Sequence, residues 1–137
     1  MPVGPDDQQR DLADAQLANV STRGFIETGS NVMIGGFILG NGSGTTNVLI
    51  RAIGPSMGPS MLENPVLDLH DSNGDIVMSN DNWEDTQPVE IEATGLPPIN
   101  TYESAMVVTI PTGAYTAIVV DKNGGTGIGL VEVYRLP

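Results

Sequence analysis

The sequence predicts an all-β chain, an antiparallel two-sheet β-sandwich of jelly-roll type with about eight strands and one short helix. Three observations predict it. Val, Ile and Thr supply 35 of the 137 residues and Lys occurs once, at Lys122, so strand formers are plentiful and formers of polar helix faces scarce. The 17 Gly and 10 Pro make about a fifth of the chain, against roughly an eighth in average proteins. Three Asn-Gly pairs, Asn41-Gly42, Asn73-Gly74 and Asn123-Gly124, stand between short apolar runs, and Asn-Gly supplies the positive φ angles of tight turns.

The elements follow in order. Residues 1–16, MPVGPDDQQRDLADAQ, carry four Asp and two Pro with few large apolar groups, and read as an acidic N-terminal tail ahead of a sandwich domain over 17–137. Strands are expected over Ala18–Arg23, Val32–Leu39, Asn47–Ile53, Val66–His70, Asp75–Ser79, Ser104–Ile110, Ala114–Val120 and Ile128–Arg135. The Asn-Gly positions make hairpins of the second and third strands, the fourth and fifth, and the seventh and eighth. Leu67 and Leu69 alternate with Asp68 and His70, and Val131 and Val133 with Glu132 and Tyr134, so each of these strands buries one face. The second and seventh strands are apolar on both faces, which suits central or covered positions. Gly35-Gly36 within the second suggests a bulge or a close backbone approach. Asp85–Asn100 is the interval without strand character. Asp85 or Thr86 would cap a short helix through PVEIEA, with Gly95 ending it and Pro97-Pro98 blocking its continuation.

Charge and composition exclude several functions. With 17 acidic and 5 basic residues the formal charge is −12, which repels nucleic-acid phosphates and anionic membranes. No apolar run approaches the roughly 20 residues that span a bilayer, so no membrane insertion is expected. The opening MPVGPDDQQR shows neither the basic nor the apolar region of a signal peptide. Without cysteine there is no disulfide, thiolate metal site or Cys nucleophile. Ser56 has G-x-S-x-G spacing in Gly54–Gly58, but within the turn-rich AIGPSMGP, residues 52–59; Ser60 and Ser104 lie in no such context, and His70 is the one His. The Gly-rich GNGSGTT and NGGTGIG lack the Lys and following helix of a phosphate loop. No enzyme is expected. Arg51, set in the apolar VLIRAIG, suits an ion pair with Asp68 or Glu132.

Two candidate sites sit in HDSNGDIVMSNDNWED, residues 70–85. Asp71, Asn73, Asp75 and Asp81, with Asp85, offer the hard oxygen ligands that Ca²⁺ takes, and calcium is the one cofactor the sequence raises. D-x-N-x-D opens like an EF-hand loop, but Gly74 stands at position four instead of six and no Glu at twelve. The competing reading is a hairpin turn, with Asn and Gly there for backbone reasons and Asp for solvation. Trp83, the one Trp, is either a stacking platform for a sugar or a plug at the end of the core with its N–H on a carbonyl.

The ordered series NVSTRGF, NVMIGGFILG, VLIRAIGPS, NPVLDLHDSNGDIVMSNDNW, ATGLPP, ESAMVVTIPTGAYTAIVV and GTGIGLVEVY resembles a little-characterised β-sandwich module of large secreted and cell-surface proteins of environmental bacteria. The second half, with L-x-L-x-D-x-x-G followed by P-x-G-x-Y-T, is also similar to pre-peptidase C-terminal domains. Those are jelly-roll sandwiches, and some bind calcium or a matrix polymer such as collagen. Carried onto this sequence, the calcium site reaches Asp71, Asn73 and Asp75. The resemblance implies a secreted or cell-surface setting and an accessory, adhesive or structural role without catalysis.

Two functions follow as expectations. The first is a structural or adhesive subunit that self-associates into an oligomer or fibre, since an edge strand accepts a strand from a neighbour. The second is an accessory module that binds calcium, or an extracellular polysaccharide or matrix, through residues 70–85 and Trp83.

Overall fold

A computed structural model of the chain describes residues 16–26, 33–39 and 44–137. The tail expected over 1–16 lies outside them except for Gln16, which opens the first strand. Among the described residues eight strands form, one for each expected: β1 Gln16–Ile26, β2 Met33–Leu39, β3 Thr45–Ile53, β4 Pro65–His70, β5 Ile76–Asn80, β6 Ser104–Pro111, β7 Gly113–Asp121 and β8 Gly127–Arg135. They make two four-stranded sheets, β1-β8-β3-β6 and β2-β7-β4-β5, with every ladder antiparallel. This is the jelly-roll order, in which the chain changes sheet at every connection except β4–β5.

That topology overturns two of the three expected hairpins. Asn73-Gly74 does turn β4 back onto β5, with Gly74 at φ 84°. Asn123-Gly124 instead carries the chain from β7 in one sheet to β8 in the other, although Gly124 has its turn geometry at φ 74°. Asn-Gly fixes local backbone angles and says nothing about which sheet the next strand joins. β2 and β3 also lie in different sheets, and Asn41-Gly42 falls outside the described residues. β2 is an edge strand with Ile38 exposed, not a central one. Its register with β7 runs without a shift through Gly35 and Gly36, and a Cβ on Gly36 would meet nothing, so neither bulge nor close approach explains that glycine.

The inner faces alternate as expected. Leu67 and Leu69 of β4, Tyr115, Ala117 and Val119 of β7, Val48, Ile50 and Ala52 of β3, and Val131 and Val133 of β8 meet in one buried cluster. A smaller cluster lies on the outer face of the first sheet, where Leu49 of β3 and Ala105 of β6 are covered by Trp83 and Ile91. The cover is the interval between β5 and β6. It holds two short helices where one was expected, α1 Trp83–Thr86 and α2 Pro88–Ala93. Gln87 stands at the N-cap of α2 in place of Asp85 or Thr86 and makes no side-chain cap bond; its side chain is engaged by β6 instead. Gly95, at φ 79°, donates its N–H to the Glu92 carbonyl and ends the helix as predicted. Arg51 pairs with Glu132, stacks on the Tyr134 ring at 5.4 Å and donates to the Leu96 carbonyl, tying the cover to the sheet. Among the described residues no helix is long and apolar enough to cross a membrane.

The registers give the sandwich two unlike ends. At one, which we term the loop pole, lie residues 54–64, 81–103 and 122–126; at the other, the turn pole, lie the tight turns 71–75 and 111–113.

Candidate functional site at the loop pole

Two buried carboxylates organise the loop pole. Glu103 is 0% exposed. Its Oε2 accepts the Gly54 N–H at 2.8 Å, the Ser56 N–H at 2.9 Å and the Ser56 hydroxyl at 2.6 Å, and its Oε1 accepts the Asn100 N–H at 3.1 Å. A buried carboxylate is tolerated only when its lone pairs are met in this way. The same acid therefore fixes the 3-10 turn Pro55–Met57 and the approach to β6. Gly54 is needed there for space, since a Cβ would lie 2.1 Å from the Leu62 carbonyl oxygen.

Asp121 does the same for the opposite loops. Its Oδ1 accepts the Asn64 N–H at 2.9 Å, and its Oδ2 the N–H groups of Asn123 at 3.0 Å and Gly125 at 2.9 Å. Between the two acids, the Asp81 carboxylate pairs with Lys122. The hydrogen bond with Asp81 holds the Lys122 ammonium above its usual pKa. With its amide turned to satisfy its neighbours, Asn64 donates to Asp81 Oδ1 at 3.1 Å and to the Tyr102 carbonyl at 3.3 Å. Ser104 donates to the carbonyls of Pro65 and Asp81. An open cleft of about 430 Å³ is left above this network, lined by Pro55, Glu63, Asn64, Tyr102 and Asn123.

The residues singled out for calcium do not form one group. Asp71, Asn73 and Asp75 share the turn-pole hairpin, while Asp81 follows β5 at the loop pole, on the order of 20 Å away at about 3.3 Å per strand residue. Asp71 Oδ1 accepts the N–H groups of Asn73 at 2.9 Å and Asp75 at 3.0 Å, which is the work of a turn-capping Asp. His70 Nδ1 lies 3.1 Å from the Gly74 carbonyl oxygen in the same turn. Among the described residues no three His, Asp or Glu side chains converge as a metal site would need. Trp83 is 8% exposed and packs with Leu49, Ile91 and Ala105, so it plugs the outer cluster and presents no open face. Its Nε1 finds no carbonyl among the described residues.

Sequence reasoning missed Glu103, Asp121 and the cleft residues Glu63 and Tyr102. Asp121 had a legible signal, an acid directly before K-N-G-G that suits a turn cap. Glu103 had only the N-x-x-E spacing from Asn100, because its other backbone partners, Gly54 and Ser56, lie 49 and 47 residues away.

No protein-family model matches the sequence, and no curated protein matches it. Among solved structures, the chain is similar to the pre-peptidase C-terminal domain of collagenase from Bacillus anthracis. The TM-score is 0.55 at 13% identity, over 84% of this chain and 88% of that one. The chain has the fold of a pre-peptidase C-terminal domain. The resemblance read from the second half of the sequence is thus met in the architecture, and at this identity the likeness is one of fold alone.

Proposed function

We propose that the chain is a non-catalytic extracellular sandwich module that acts through contacts, as a structural or adhesive subunit pairing with copies of itself along β5. The observation that carries this reading is a difference between two edge strands. The edge at β6 is covered: Asn80 Oδ1 accepts the Ala105 N–H at 3.0 Å, and the Gln87 carboxamide pairs with Val107 in both directions, at 3.0 and 2.9 Å. The edge at β5 pairs only with β4 among the described residues, and it sets Ile76 at 60% and Val77 at 40% exposure. An open edge bearing exposed β-branched residues is a template for a further strand. Two such edges meeting antiparallel across a two-fold axis join two four-stranded sheets into one of eight. Likeness to a domain of a collagenase supports an accessory module and an extracellular setting.

The charge of −12 opposes association, so salt should promote it by screening. Light scattering across protein concentration at low and high salt tests this. The expected result is a dimer that grows in with concentration and salt and is abolished by Val77→Lys, a charge on the open edge. A monomer under every condition, or a dimer indifferent to Val77→Lys, overturns the reading.

A further inference from the structure

The geometry points to the loop-pole cleft as a binding site for an uncharged oligosaccharide, with Tyr102 as its stacking face and Glu63 and Asn123 as its hydroxyl partners. The cleft is independent of the β5 edge and lies at a different place in the fold from the residues first suspected of ligand binding. Its volume, about 430 Å³, falls among small-ligand sites, which run from about 300 to 1,000 Å³.

The backbone around the cleft is preorganised. Pro55 is flanked by Gly54 and Ser56, both held by Glu103. Asn64 and Asn123 give their N–H groups to Asp121. Tyr102 gives its N–H to Asn100 Oδ1 at 2.8 Å and receives the Asn64 amide on its carbonyl. A binding site whose backbone is already fixed loses little conformational entropy when ligand arrives.

The side-chain tips show the opposite pattern. Asn64, Asp81, Ser56 and Lys122 are all engaged within the protein. Tyr102, with 54% exposure, holds its ring in solvent, and no described residue bonds its hydroxyl, the Glu63 carboxylate or the Asn123 carboxamide. Those three groups together both donate and accept. Hydroxyls do the same, so vicinal hydroxyls suit Glu63 as shared acceptor and Asn123 as donor and acceptor, while the apolar face of a pyranose covers the ring. An ammonium or guanidinium only donates, so it would meet the Glu63 carboxylate and the Asn123 Oδ1 and leave the exposed Asn123 NH₂ to water. Uronic or sulfated sugars are repelled by Glu63 and by the net charge.

The test is a titration of the ¹⁵N-labelled chain with neutral tetrasaccharides of glucose, mannose, xylose and N-acetylglucosamine, with tetralysine and tetragalacturonate as charged controls. At least one neutral sugar should shift the amides of residues 63–64, 101–103 and 122–125 in a salt-independent way. Tyr102→Ala should weaken that binding about tenfold and Glu63→Gln about fivefold, both with an unchanged fold since both side chains are exposed. Cleft amides that answer to no neutral sugar overturn the inference. So does a response to tetralysine alone that fades with salt, which would give the cleft to a basic partner.

Discussion

At the loop pole Glu103 and Asp121, which gather backbone N–H groups, are buried; at the turn pole Asp71, which does the same, stands near water. All three accept two or more N–H groups, so the hydrogen-bond pattern is shared and the surroundings differ. Near water, an N–H that loses its acceptor is rehydrated. In the interior it is stranded, and the cost is its full desolvation. The comparison separates loops that are held by a structural acid from a turn that merely prefers one. It also explains how the connections 54–64, 81–103 and 122–126 keep a fixed shape with little regular structure of their own.

The largest effect belongs to Glu103. Glu103→Ala strands the Gly54, Ser56 and Asn100 N–H groups and leaves a void, and should cost about 3–5 kcal/mol in a urea unfolding experiment. A cost as small as that of a surface change would mean that the loops close up without the acid. Asp121→Ala comes next at about 2–3 kcal/mol, since its three N–H partners are only partly buried. In the full chain it should also broaden the amide signals of residues 64 and 122–125, which depend on Asp121 for their position.

The turn pole has its own buried titratable group, which breaks the simple contrast in a defined pH range. Tyr115 is buried against Phe37, their ring centroids 5.7 Å apart, and donates its hydroxyl to the Pro111 carbonyl at 2.6 Å. Burial first, and then the nearby Asp71 charge, raise its pKa above the ordinary 10.0. The folded chain therefore keeps this proton at a pH where the unfolded chain gives it up. Below 10.0 the group adds no pH dependence; above it, stability falls as pH rises. Tyr134 is also raised, chiefly by burial. Tyr115→Phe should therefore flatten the alkaline fall in melting temperature without removing it. An unchanged alkaline limb would show that Tyr115 ionises freely in the folded state.

How far the sequence was legible follows the same division between local and distant causes. The eight strands were readable because apolar alternation, as in Leu67 and Leu69 of β4, β-branched runs and turn residues act over a few positions. The Asp71 turn was readable for that reason too. Strand partners were not, since Gly124 adopts its positive φ whether the next strand returns to the same sheet or crosses to the other. Glu103 reads as one acid in NTYESAM until β3 and β6 pair and bring Gly54 and Ser56 beside it. The cleft is assembled from three loops, and no window of sequence contains it.

Asp71→Ala should have the smallest effect and the sharpest meaning. The carboxylate accepts two N–H groups in a solvent-facing turn, so its removal should cost only about 0.5–1 kcal/mol, with water taking over both donors. Asn73-Gly74, with Gly74 at φ 84°, keeps the turn by backbone preference alone, and the β4–β5 register should survive. If Asp71 is a turn cap, that cost is the same in calcium and in chelator, because a cation that binds only the native turn would add stability to the wild type and not to the variant. A cost that grows with calcium would assign the same oxygen to a cation, and would make the turn pole, not the loop pole, the end of the molecule that answers to a ligand.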